Sequence, residues 1–168
     1  ELPHAPAVVA GVGEGYSASG GHWALQSAFT STPQVFSAPN AFAMAGLTPA
    51  DVDVLTVYDP FTVVSLMQIE DMGFCPKGEA GGFVEGDTLH HDGGGLPFNT
   101  HGGLLSHAYV LGIAHVIEVV KQLRGTADAQ VPRCEVGVYG GYTRRRASTP
   151  VRTKDREDPG QQEGRIAA

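Results

Sequence analysis

The run NAFAMAGLTPADVDVLTVYDPF, residues 40–61, constrains the fold more than any other stretch of the chain. Ala41 to Ala45 finish a helix that Gly46 stops, because glycine enters the left-handed conformation that ends helices without a Cβ clash. Thr48 and Pro49 then open a turn as cap and first-turn proline. VDVLTVYD follows as a nearly unbroken apolar run of strand length, the pattern of a strand buried on both faces. Such a strand set between helices implies an α/β layer.

Alternation continues on either side. FTVVSLMQIEDMGF carries Val63, Leu66, Met67 and Ile69 at helical spacing and stops at Gly73. Leu104 to Leu123 reads as one helix ending at Gly125, with Tyr109 in its first turns and His115 as a satisfied core residue. CEVGVYGGYT and ASTPVR read as two closing strands, and PAVVAGVGEG places a short buried strand, Val8 to Val12, before a glycine turn. CPKGEAGGFVEGDTLHHDGGG is a turn-rich excursion, a hairpin or an active-site flap, and about Gly15 to Pro33 is a Gly/Ser/Thr loop. The pattern predicts an α/β fold, a mixed sheet covered by helices, over residues 1–151. The polar, aperiodic end, 152–168, is expected to be a disordered tail.

Composition limits the function classes. A chain of 168 residues with 42% hydrophobic content supplies one sizeable core. Its net charge of -7 argues against a nucleic-acid surface. Cys75 and Cys134 form no CxxC pair, so neither a zinc ribbon nor a disulfide framework is expected, and a reducing, cytoplasmic setting is the default. No apolar run approaches the roughly 20 residues that cross a bilayer. The opening ELPHAPAVV lacks an initiating Met, which suggests a piece of something longer.

Three polar segments interrupt the scaffold. YDPF brings Tyr58 and Asp59 to the carboxyl end of a strand, where ligands of α/β sheets bind, although a capping Asp59 and a packed Tyr58 explain it too. NTHGGLLSHAY offers Asn99 and His101 as hydrogen-bonding side chains, and Gly102 and Gly103 as a place for close backbone approach or an ordinary tight turn. VYGGYT runs a strand into Gly140 and Gly141, whose N–H groups could meet a substrate oxygen or make a bulge; Tyr142 could reach the same pocket. His90 to Asp92 match no standard metal spacing, so no metal is expected and that loop reads as solvated. Arg144 to Arg146 are either a solvated edge or an attraction for anionic phosphates.

Taken together, AFAMAGLTPADVDVLTVYDPFT, EDMGFCPKGEAGGFVEG, PFNTHGGLLS and KQLRG resemble the C-terminal half of the thiolase superfamily, of the sterol-carrier-protein-x and lipid-transfer-protein type, from about Pro6 to Val151. The resemblance implies a half-domain with a five-stranded mixed sheet, whose N-terminal counterpart, bearing the nucleophilic cysteine, is absent here. Neither Cys75 nor Cys134 matches that motif. Tyr58 falls at the Asn or His of the first family box, Tyr109 at the histidine of the Gly-His-Pro box, and Val138 at the second cysteine, while Gly140 is kept.

Thiolysis needs a histidine near neutral pKa and a second cysteine to move a proton. Two phenols suit a different chemistry, removal of a β-hydroxyl proton and hydrogen bonding to an enolate. The steroid side-chain-cleaving aldolases of the superfamily are similar in these boxes. That resemblance implies retro-aldol cleavage of a β-hydroxyacyl-CoA, with Tyr109 as base, Tyr58 as its partner or hydrogen-bond donor, and Gly140 as oxyanion-hole N–H. Asn99, His101, Gly102, Gly103 and Tyr142 would face the substrate. The alternatives are a thiolase-type acetyl-CoA acetyltransferase that works through the absent N-terminal cysteine with His107 or His101 as base, and a non-catalytic acyl-CoA or lipid-binding subunit. By the same resemblance coenzyme A thioester is substrate, with no permanently bound cofactor. A homodimer and a partner bearing a zinc ribbon and an OB-fold are expected, and the chain taken alone is expected to be inactive.

Overall fold

Val54–Val57 forms the anticipated strand, β2, and all four residues are buried. The computed structural model describes residues 6–17, 29–143 and 146–154. Within them β2 runs parallel to β3 (Val136–Tyr142), β3 antiparallel to β4 (Arg146–Lys154), and β4 antiparallel to β1 (Ala7–Tyr16), in the order β1-β4-β3-β2. The helices are α1 (Gln34–Ala45), α2 (Thr62–Asp71), α3 (Ala80–Phe83), α4 (Gly103–Ser106) and α5 (Ile113–Arg124).

Both faces of β2 are covered, which is why it has no polar alternation. Leu55, Val57, Val136, Val138 and Val151 meet Ala38, Ala41 and Phe42 of α1 and Ile69 and Met72 at α2 on one face. On the other, Val54 meets Val119 and Leu123 of α5. Gly46 ends α1 at φ 66, and Thr48 opens the short 3-10 turn Pro49–Asp51 as its cap, with Asp51 completing a capping box that the sequence reading did not name. No helix is long and apolar enough to cross a membrane among the described residues.

Several expectations are corrected. The sheet has four strands among the described residues rather than five. In the fifth position Phe98 makes one isolated parallel bridge to Leu55, because Asn99 turns the chain away at φ 42. β1 is not a short buried strand ending at a turn: it is an edge strand with Val8, Val9 and Val12 exposed and Gly11, Gly13 and Gly15 buried under α1. The excursion after Cys75 holds α3 and turns, not a hairpin. The helix expected from Leu104 to Leu123 is broken: residues 107–112 are irregular, with Leu111 at φ 57, so Tyr109 lies in a link between α4 and α5. β4 continues to Lys154, so residues 152–154 are strand; the remainder of the expected tail, most of the Gly/Ser/Thr loop, and Arg144 and Arg145 lie outside the described residues.

Candidate active site

The site forms where β2 ends. Tyr58 leaves the strand with its backbone fixed on two sides: its N–H donates to the Gly140 carbonyl at 2.8 Å, and its carbonyl accepts from Gln68 Nε2 at 2.8 Å. Gln68 is itself held by the buried amide of Gln34 at 2.9 Å. On the outer edge of β2, Asn99 acts as a peptide surrogate, its Oδ1 accepting from the Val57 N–H at 2.8 Å and its Nδ2 donating to the Val57 carbonyl at 3.1 Å. Both polar ends of the Asn99 side chain are therefore engaged by the strand, and a substrate contact would have to share them.

Asp59, buried, does not cap α2, whose N-cap is Phe61 with no side-chain bond. Its carboxylate instead reaches across to the glycine turn. Oδ1 accepts from the Leu104 N–H at 2.9 Å, and Oδ2 occupies the space that a Cβ on Gly103 would need, 2.1 Å away. Gly102 and Gly103 both stand at positive φ, 94 and 61, so the turn demands glycine twice. The close approach foreseen for this pair is made by a side chain of the protein itself.

That turn leads through α4 to Tyr109, whose hydroxyl lies 3.3 Å from the hydroxyl of Tyr58. Tyr58 is half-buried and Tyr109 is 71% exposed. The hydrogen bond to Tyr109, then desolvation and the neighbouring negative groups, push the Tyr58 phenol up to about 12. The Tyr58 phenol is thus protonated at neutral pH, and either hydroxyl can donate in the pair.

Behind the phenols sits a histidine cluster. His115 of α5 is fully buried, with Nε2 3.5 Å from Asp59 Oδ1 and no hydrogen-bond partner on either ring nitrogen. The satisfied core histidine expected from the sequence is therefore buried but unsatisfied. Its ring stacks on Tyr139 (centroids 5.8 Å, 15° between planes) and meets His101 edge-on at 4.9 Å. Burial, and then the proximity of His101, bring the His115 pKa down to about 4 against the pull of Asp59. His101 is also pushed down, chiefly by burial. His107, exposed, is 5.8 Å from His101.

Tyr58, Tyr109, Gly140, Asn99, His101, Gly102, Gly103 and His107 are thus gathered around one strand end, while Tyr142 packs beside them with Val64 and Met67 and against Tyr58. Sequence reading brought Asp59 to the strand end as a ligand-site or capping residue without giving it a role, read His115 as core, and did not mark Tyr139; nothing local signals the last two. Cys75 and Cys134 are buried, and burial raises the Cys75 thiol. His90 and Asp92 pair at 3.7 Å in a largely exposed loop. No group of three or more metal-ligating side chains occurs among the described residues.

Residues 15–149 match the family described as Thiolase C-terminal domain-like. The chain is 51% identical over 86 residues to 17-hydroxy-3-oxo-4-pregnene-20-carboxyl-CoA lyase of Mycobacterium tuberculosis, covering 51% of this chain and 22% of that protein. It is 38% identical over 133 residues to the steroid side-chain-cleaving aldolase of Thermomonospora curvata, covering 77% of this chain and 34% of that one. Among solved structures, the Ltp2-ChsH2(DUF35) aldolase superposes with a TM-score of 0.84 at 33% identity, over 94% of this chain and 42% of that chain. The chain therefore spans about a fifth to a third of the length of these curated relatives.

Proposed function

The chain belongs to the thiolase C-terminal domain-like family, and from that membership and its paired phenols we propose that it forms part of an enzyme that cleaves a carbon–carbon bond of a β-hydroxyacyl-CoA by a retro-aldol reaction. The observation that carries this reading is the 3.3 Å contact between the hydroxyls of Tyr58 and Tyr109. Tyr109, as phenolate, takes the proton of the β-hydroxyl. The Cα–Cβ bond breaks, Cβ becomes the carbonyl of a ketone or aldehyde, and the electron pair passes to Cα as a thioester enolate. A proton returned to Cα completes the shorter acyl-CoA, with no redox change and no covalent acyl-enzyme. Tyr58, which holds its proton, stabilises the Tyr109 phenolate by donation; Gly140 is assigned the oxyanion contact.

A steroid-borne acyl chain is the substrate class in keeping with the names of the two curated relatives, and a partner of the DUF35 kind is in keeping with the aldolase complex. A homodimer belongs to the same reading. The test is made on the full reading frame that encodes the chain, with its partner, given a β-hydroxyacyl-CoA and, separately, a β-ketoacyl-CoA plus free CoA, with products followed by mass. The expected result is cleavage of the hydroxy substrate, reduced by about 100-fold or more in Tyr109→Phe. CoA-dependent cleavage of the keto substrate, indifferent to that substitution, would replace the aldolase by an acyltransferase with His107 as base.

A further inference from the structure

His115 is a fully buried titratable side chain to which the proposed chemistry gives no role, and neither ring nitrogen has a hydrogen-bond partner. Leaving such a group unpaired in the interior costs free energy, so its place calls for a reason. Its neighbours come from separate parts of the chain: Asp59 and Tyr58 after β2, Tyr139 in β3, and His101 before the glycine turn. Asp59 joins the two phenol-bearing segments, since it follows Tyr58 in the chain and accepts the Leu104 N–H of the turn leading to Tyr109. Tyr139 acts on the far end of the same link, because its hydroxyl fills the space beside the Gly112 Cα where a Cβ would stand, 2.0 Å away.

We propose that His115 is a positioning residue for the Tyr58–Tyr109 pair, acting through Asp59 at one end of the 107–112 link and through Tyr139 at the other. The inference rests on the retro-aldol reading only for its consequence in turnover. A neutral imidazole is suited to this role. Its Nε2 lies 3.5 Å from Asp59 Oδ1 without a hydrogen bond, so the ring confines the carboxylate by packing and places no positive charge beside it, and the same flat ring sets the tilt of Tyr139. The side chain is too deeply buried to touch substrate.

The test compares His115→Leu, which fills the space without a polar group, with His115→Gln, which keeps a neutral polar group beside Asp59, in the full reading frame with its partner. His115→Leu is expected to lower kcat by about 10- to 100-fold with little change in KM, as misplacement of a reacting group does. His115→Gln is expected to recover most of that loss although both variants lose similar thermal stability. Equal kcat in the two, tracking stability alone, would overturn the proposal. A second readout does not depend on activity: ring-carbon NMR of labelled tyrosine follows the Tyr58 titration, raised to about 12 by its contact with Tyr109. In His115→Leu that value is expected to fall toward the ordinary phenol; an unchanged value overturns the positioning role whatever the reaction. A fall in a protein that leaves β-hydroxyacyl-CoA intact supports the positioning role and overturns the retro-aldol reading. Should His115→Leu fail to fold, the unbranched His115→Met, which likewise places no polar group beside Asp59 and leaves the carboxylate itself in place, is expected to give the same fall, and its absence overturns the proposal equally.

Discussion

At the scale of single residues, Asn99 and His115 show how much of the site depends on polar groups placed away from water. Asn99 supplies one acceptor and one donor to Val57, at 2.8 and 3.1 Å, and tolerates φ 42 because its short amide side chain is one of the few that does. Asn99→Ala leaves two backbone groups of a buried strand residue unpaired and is expected to cost about 3 kcal/mol in urea unfolding. Asn99→Asp keeps the acceptor but sets a carboxylate oxygen against the Val57 carbonyl, so it should not restore the loss. His115 makes stability depend on pH. Its folded pKa of about 4 lies below the roughly 6.5 of an unfolded histidine, so the unfolded chain binds the extra proton in that window. Stability present above pH 6.5 is therefore lost as pH falls toward 4, by about 3 kcal/mol at the limit. Urea midpoints at pH 7.5 and pH 5 in wild type and His115→Gln check this, and the slope should flatten in the variant. His101, lowered in the same direction, contributes a remaining part.

At the scale of elements, the contact of α1 with β1 is made almost backbone to backbone. A Cβ on Gly11 would lie 2.1 Å from the Ala41 carbonyl oxygen, on Gly13 1.9 Å from that of Ser37, and on Gly15 2.3 Å from that of Pro33. Gly13→Ala therefore has to lift α1 off the strand, an overpacking cost of about 3 kcal/mol. Gly81→Ala in α3, where nothing lies within 4 Å, is expected to be neutral or slightly stabilising. Thermal unfolding of the two variants side by side checks the difference. The same contact shows which parts of the fold were legible in the sequence. The end of α1 at Gly46, the turn opened by Thr48 and Pro49, and β2 are specified by residues within one or two turns of each other, and they stand as read. The alternate glycines of β1 answer to a helix more than twenty residues away, so they look like a turn until the helix is in place. The break at residues 107–112 was hidden for a related reason. Val110, Leu111 and Ile113 continue an apolar pattern that reads as a helix core, whereas their side chains are exposed. The paired tyrosines were legible through their place in the family boxes, but the carboxylate and histidine behind them were not, because only the folded chain brings β2, β3 and α5 together.

At the scale of the whole molecule, one set of exposed apolar residues borders the proposed chemistry, apart from a second set on β1 and α1. Phe61 and Val63 flank one side of the Tyr58 strand end, and Leu105, Tyr109, Val110, Leu111, Ile113 and Ile117 follow one another along α4, the link and α5. Water gains nothing from such a surface, and soluble monomers seldom carry large contiguous ones. The matched relatives are three to five times as long as the region they share with this chain, so an enclosing surface has chain from which to come. With Tyr109 open to solvent, a developing enolate would also lack the water-excluded setting in which fixed donors act strongly. The chain of 168 residues taken alone is therefore expected to self-associate through this face and to turn over β-hydroxyacyl-CoA at least about 100-fold more slowly than the full reading frame. Sedimentation velocity should show species heavier than the 17.6 kDa monomer, together with binding of a hydrophobic dye. The double substitution Leu111→Lys and Ile113→Lys should restore the monomer and abolish the dye signal without restoring turnover, because it repels the covering surface instead of supplying it. A monomeric wild-type chain that binds no dye would mean that these side chains are tolerated in water, and that the exposure of Tyr109 is the working state of the site.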